Sequence, residues 1–239
     1  MGPEMLLESI QAGLMASGLW LATGSVPGCP VPPVPNVSVY AVTAATKIDD
    51  SLPMNVLETF ELDTDTAKSA TNMSHAKTGG VMRGTIGIEY SIEMDWQPAE
   101  TGGLSCLHFS EVNIILTLEP TIFIARDFAR GGCVYNAVRD HEMEHVAIDR
   151  TAIEAYAAQI GRAFDFVFEV DGNRQSPPIA DNEVTVMRSR MQQAVINQTE
   201  QILRDMYADR MARQNALDSP QTYAELMRQC PDAVAEMAR

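Results

Sequence analysis

One five-residue stretch limits what this chain can fold into more than any other: His141-Glu142-Met143-Glu144-His145, set in a proline-free run from Thr121 to Ser176. Histidines at i and i+4 of a helix project from one side, a turn apart, so both rings can grip a single cation. Counting about 100° per residue from His141, the residues Val134, Val138, Ile148, Ala152 and Tyr156 share that side. The histidines therefore belong to the buried stripe, and the predicted helix, Val134 to Arg162, is a core element with polar groups built into it. With only four histidines in 239 residues, chance supplies about 0.004 matches to H-E-x-x-H. Two imidazoles and an acid on an apolar stripe are costly to bury unless a metal ion or hydrogen-bond partners satisfy them.

The length and a 46% hydrophobic content suit one sizeable core. Seventeen basic against thirty-two acidic side chains give a formal charge of −15. That charge repels phosphate backbones and anionic lipid surfaces, and no basic patch offsets it, so no nucleic-acid partner is expected. Residues 10–26 form an apolar stretch like the hydrophobic part of an export signal. Ala22-Thr23-Gly24 supplies a small-x-small cleavage site, although Glu4 and Glu8 stand where basic residues are usual. No second long apolar run follows, so no integral membrane span is expected beyond that leader. The predicted organisation is a leader over 1–28, a proline-rich tether over 29–36 and one domain over 37–239, exported to the periplasm or beyond. Val26-Pro27-Gly28-Cys29 also allows a lipid anchor at Cys29.

Alternation of apolar and polar residues predicts strands over 37–42, from Ile86 to Trp96 and from Val112 to Leu118, the last two pairing antiparallel. Pro120 is expected to break the run before a short strand from Ile122 to Ala125. Residues 61–80 read as a loop carrying a solvated His75, and His108 reads as structural. A second long helix runs from Asn182 to about Leu217, with Met187, Met191, Val195, Ile202 and Met206 on one side, and a short helix starts at Ser219-Pro220. The predicted fold class is α+β: a twisted antiparallel sheet packed on the motif helix and the second long helix.

Zinc takes neutral imidazole nitrogens, normally needs a third protein ligand in a hydrolytic site, and leaves a fourth position for water, whose proton a nearby glutamate accepts. The succession of paired strands, Pro120-Thr121-Ile122-Phe123-Ile124-Ala125, and then Cys133-Val134-Tyr135-Asn136-Ala137-Val138-Arg139-Asp140 leading into H-E-x-x-H, resembles the bacterial predicted secreted zinc-dependent proteases. These are zincin-like metallopeptidases, and the resemblance covers roughly residues 30 to 230. It implies a Zn²⁺ cofactor held by His141 and His145, Glu142 as base, and hydrolysis of a peptide bond in a peptide or protein substrate. It also implies a substrate laid along a sheet edge above the motif helix, which would assign Ile122, Phe123 and Ile124, or the neighbouring strand, to substrate binding. A metal amidase acting on cell-wall peptides and a non-catalytic, metal-stabilised binding protein are the rival readings.

The longer metzincin motif would need Gly at 148 and His or Asp at 151, where Ile148 and Thr151 stand. A third ligand is therefore expected on the second helix. With Met187 as origin, Asp205 at about 0° and Asp209 at about 40° fall inside the apolar arc, whereas Glu200 and Tyr207, both beyond about 180°, do not. Asp209 is taken as the ligand and Asp205 as its alternative, although either could instead pair with an arginine; Glu154 comes next. Asp149 lies one turn past His145, but three ligands in line on one helix suit a tetrahedral ion badly. The stretch also satisfies the inverted H-x-x-E-H with Glu144. Glu142 is preferred as base because Val138, Val146, Ile153 and Tyr156 make its side the drier one, whereas Glu144 faces a polar edge. In an exported protein a Cys106–Cys133 bridge would pin the strand region to the motif helix, leaving Cys29 and Cys230. Four cysteines allow three pairings and the sequence does not choose among them.

Overall fold

The computed structural model describes residues 26–60, 79–100, 102–170, 174–218 and 228–230. Most of the leader, His75 with most of its loop, and most of the last short helix lie outside the described residues. In chain order the elements are β1 (Asn36–Thr43), β2 (Lys47–Asp49), a one-turn helix α1 (Met54–Leu57), β3 (Gly80–Pro98), β4 (Ser105–Ile124), α2 (Cys133–Asp165) and α3 (Val184–Leu217). A π-helical turn, Phe166–Val170, extends α2, so Phe164, Phe166 and Phe168, although spaced like one face of a strand, continue the helix. The fold is α+β, with a mixed sheet and two long helices.

β4 is the spine of the sheet, since β1, β2 and β3 all pair with it. β3 and β4 form a hairpin, closed at one end by Ala99 N–H to the Leu104 carbonyl and at the other by Ala125 N–H to the Gly79 carbonyl. β2 instead runs parallel to β4, in the register Lys47↔Thr121, Ile48↔Ile122, Asp49↔Phe123. The wholly antiparallel sheet expected from the sequence is thus corrected. Alternation reports which face of a strand is buried and says nothing about the direction of its neighbour, and the long connection from β2 to β4 leaves room for a parallel pairing.

β4 also runs straight through Pro120 instead of ending before it. Extending the β2 register by one residue puts Pro120 opposite Thr46, in the interval between β1 and β2. A residue without an N–H is tolerated where the ladder is already interrupted.

The described chain divides into two compact units. One comprises residues 26–41, 88–116 and 155–205, the other 42–87, 117–154 and 206–230. In the first, Cys29 is bridged to Cys106 with a Cα–Cα separation of 5.9 Å. Val26 and Cys29 are buried there, and Gln97 Nε2 donates to the Pro30 carbonyl, so this end of the proline-rich stretch is fastened to the fold. In the second, Cys133 at the start of α2 is bridged to Cys230, at 5.8 Å. The expected Cys106–Cys133 bridge is therefore corrected. Cys106 is the second residue of the twenty-residue β4 and Cys133 lies beyond the strand's other end; at about 3.3 Å per residue the strand between them spans roughly 60 Å, against the Cα separation of about 6 Å that a disulfide needs. With its sulfur in a disulfide, Cys29 offers no thiol for a lipid anchor. Two disulfides point to an oxidising, exported environment, and no described helix is long and apolar enough to cross a membrane.

The core of the second unit gathers Leu57, Val81, Ile122, Ile124, Phe128, Val134, Val138 and Val146, so one side of α2 packs against the ends of β3 and β4. Gly80 and Gly84 make that approach close. A Cβ on Gly80 would strike Val138, and one on Gly84 would strike Asp149. Both glycines thus mark places where strand backbone meets helix side chains directly.

Candidate metal centre

His141, Glu142 and His145 stand on the first half of α2, and all three are buried, with 7%, 6% and 6% of their surface exposed. His141 Nε2 and His145 Nε2 are 3.2 Å apart. Asp218, the first residue after α3, completes a triangle: its Oδ1 lies 3.2 Å from His141 Nε2 and 2.9 Å from His145 Nε2. Helix geometry carries through to this residue, because Asp218 N–H donates to the Gln214 carbonyl at 3.1 Å. A carboxylate at a helix C-terminus faces the negative end of the helix dipole and needs a positive partner to be favourable there. His141, His145 and Asp218 form a group that could hold a metal ion.

The hydrogen bonds decide where the protons sit. Gln214 Nε2 donates to the Asp149 carboxylate and to the His145 carbonyl, so Gln214 Oε1 is the atom facing His145 Nδ1. Nδ1 must then carry a proton, so Nε2 is the nitrogen that faces Asp218, a donor while it keeps its own proton and a ligand atom once that proton gives way to a metal ion. Nε2 of two imidazoles and a carboxylate oxygen thus converge in a group that could hold a cation at its centre. The same convergence sets the protonation behaviour. Burial disfavours a charged His145, yet its hydrogen bond to Asp218 and the nearby Glu142 and Asp218 charges hold its pKa up at about 9. Burial likewise opposes ionised Asp218, but hydrogen bonds from both histidines pull it down to about 2.

Glu142 flanks the triangle on the β3 side. Burial drives its carboxyl up to about 6; the neighbouring histidines work the other way, as does a hydrogen bond accepted from the Met82 backbone N–H. Glu144, the other glutamate of the motif, is exposed. The buried arc of α2 includes Val138, Val146 and Ile153, which lie on the Glu142 side of the histidines.

Other expected site residues are placed elsewhere. Asp209 pairs with Arg213 one turn along α3, at 3.0 Å, and Asp205, Glu154, Glu200 and Tyr207 are exposed. None of them joins the histidines. The reason is that the buried stripe of α3 follows Met191, Val195, Ile202, Met206 and Gln214, and each step of four residues advances about 40° around the axis. By the C-terminal end the stripe has turned well away from the Met187 origin, leaving Asp205 and Asp209 outside it and bringing Asp218 in. Asp149 is fully buried but spent on Arg210, which donates Nε–H to Oδ1 at 2.6 Å and Nη2–H to Oδ2 at 3.0 Å.

Ile122, Phe123 and Ile124 do not form a sheet edge. β2 pairs along Ile122 and Phe123, Ile122 and Ile124 are fully buried, and Phe123 packs edge-on against Phe60 with ring centroids 5.2 Å apart. The residues missed in the sequence are Asp218, Gln214, Arg210 and the two glycines. A signal for the first three was present in the four-residue spacing of Arg210, Gln214 and Asp218, which repeats that of His141, His145 and Asp149. Comparison with protein-family models, with curated proteins and with solved structures finds no match to this chain, so the site rests on its own geometry.

Proposed function

We propose that the protein is a zinc-dependent hydrolase of peptide bonds, zincin-like in its use of a long H-E-x-x-H helix, with His141, His145 and Asp218 as ligands and Glu142 as general base. The observation that carries this reading is a buried carboxylate beside three converging atoms able to ligate a metal. A tetrahedral ion with bonds of about 2.0–2.1 Å holds its ligands about 3.3 Å apart, close to the 3.2, 3.2 and 2.9 Å separations of this triangle. Held by these three residues, zinc would supply a Lewis acid that polarises a carbonyl and acidifies water.

The chain's own groups do the rest. Glu142, held near pH 6 by burial, is ionised at neutral pH and close enough to neutrality to take a proton from the attacking water and pass it to the leaving amine. The Met82 N–H orients the carboxylate. β3, which pairs only with β4 among the described strands, supplies the backbone nearest Glu142, and an extended peptide is read as lying along Gly80 to Met82. The deep burial of both histidines and Glu142 favours one second reading, a metal that staples α2 to the end of α3 in a non-catalytic binding protein.

The discriminating experiment loads Glu142→Gln and Glu144→Gln with zinc and assays both on a mixed peptide library. Glu142→Gln should keep zinc and lose hydrolysis by several orders of magnitude, whereas Glu144→Gln keeps most of both. A dead, zinc-loaded Glu144→Gln would mean that the helix works in the inverted sense, and stoichiometric zinc with no turnover in the wild type would favour the staple.

A further inference from the structure

Three side-chain pairs join α2 to the end of α3 at matched spacing: His141 with Asp218, His145 with Gln214, and Asp149 with Arg210. Each step of four residues forward on α2 is met by four residues back on the other side, as happens when antiparallel helices meet turn against turn. The pairs differ in chemistry. One carries two metal-ligand candidates, the next a ligand and an amide, the last a buried ion pair.

We propose that Gln214 is a positioning residue for the metal centre, holding His145 with its proton on Nδ1 and its Nε2 lone pair aimed at the point shared with His141 and Asp218. This rests on the metal-centre reading above. A free imidazole exchanges its proton between two nitrogens, and only a fixed acceptor at Nδ1 selects one form. Gln214 could defeat that purpose by turning its amide over, presenting NH₂ to His145. Asp149 prevents this. Its carboxylate can only accept, and it is fully buried and held by two Arg210 hydrogen bonds at 2.6 and 3.0 Å. The amide NH₂ of Gln214 must therefore face Asp149 and the His145 carbonyl, leaving Oε1 for His145. The Arg210–Asp149 pair sets the sense of the amide, and the amide sets the tautomer of the ligand.

The test uses the full chain, zinc ion alone as probe, and long-range ¹H–¹⁵N NMR of the imidazoles. Chelated wild type above pH 9, where His145 has given up its second proton, should show His145 as a single tautomer protonated at Nδ1. Gln214→Leu, similar in size but without the amide, should weaken zinc binding about 10–100-fold and let His145 populate both tautomers. The double variant Asp149→Asn with Gln214→Glu keeps an oxygen against Nδ1–H and a donor behind it from the new amide at position 149, while losing the hydrogen bond to the His145 carbonyl. It should bind zinc measurably more tightly than Gln214→Leu and regain the single tautomer. Equal zinc affinity and an unchanged His145 signal in Gln214→Leu would overturn the proposal, as would a well-folded double variant as weak as Gln214→Leu. If Gln214→Leu does not fold, Asp149→Asn alone decides, since an unchanged single tautomer with Asp149 neutralised is fatal to the idea. A wild type that takes up no zinc overturns the metal-centre reading and this proposal together, and so is distinguished from failure of the proposal alone, in which wild type and variants bind equally.

Discussion

Replacing Gly80 by alanine tests the contact on which the candidate base depends. A Cβ at this position would fall inside the van der Waals envelope of Val138 Cγ1, and 3.1 Å from Glu142 Oε1 and 3.2 Å from Glu142 Cγ. Carbon atoms pack comfortably at about 3.5–4.0 Å, so β3 and α2 have to part by about 1 Å. Val138 cannot step aside, because a β-branched residue in a helix has essentially one χ1 rotamer. Overpacking of this kind costs about 1–3 kcal/mol, which for a chain of this size lowers the melting temperature by roughly 2–12 °C. The second effect is on function. Parting strand from helix stretches the bond from Met82 N–H to Glu142, and a catalytic group displaced by about 1 Å loses about 100-fold in rate. The three candidate ligands come from α2 and the end of α3, so zinc affinity should change by less than about threefold. Calorimetry, peptide hydrolysis and zinc titration on Gly80→Ala measure all three, with Gly102→Ala, whose Cβ would meet nothing within 4 Å, as the silent control. A Gly80→Ala protein with wild-type melting temperature and rate would refute the packing argument. A rate that falls only in step with zinc affinity would refute the separation of base from ligands.

Asp218→Asn should lower zinc affinity by at least a hundredfold in a titration against a chelating dye, while Asp209→Asn, whose carboxylate is paired with Arg213, leaves it within about twofold; the opposite order would return the third ligand to the body of α3. In metal-free protein, His145 is raised from 6.5 to about 9, and Asp218 lowered from 3.8 to about 2. The histidine's contribution to stability is complete below pH 6.5 and lost as pH rises through 9, and the aspartate's is present above 3.8 and lost as pH falls through 2. Chelated protein should therefore lose melting temperature between pH 6.5 and 9, a limb absent from the zinc-loaded form; a level curve there would remove His145 from the account. Each disulfide closes a long loop, 77 and 97 residues in sequence separation, so replacing either pair by alanine should cost about 4.5 kcal/mol by the loop-closure relation. Denaturant midpoints unchanged in both paired variants would set that relation aside here.

Local pattern was enough for the elements whose signal is periodic. The histidines one turn apart, the proline-free run around them and the apolar stripe at helical spacing place His141, Glu142 and His145 on one buried side of a core helix, because a helix repeats every 3.6 residues wherever it packs. Strand alternation located β1, β3 and β4 for the same reason. It could not show that β4 continues through Pro120, since that depends on a gap between two other strands, nor that β2 pairs parallel, since a strand's own residues do not record its neighbour's direction. Disulfide pairing was beyond reach too, because the distance from Cys106 to Cys133 is set by the length of a strand lying between them. The third ligand candidate was the hardest. An acid is picked out by which way its helix faces at that point, and the buried side of α3 turns steadily along its length, so an angle reckoned from Met187 favoured Asp209 where the packed helices bring in Asp218. The residues that belong to one helix were legible one helix at a time, and the pairing of His141, His145 and Asp149 with Asp218, Gln214 and Arg210 exists only once the two helices lie antiparallel with their turns in register.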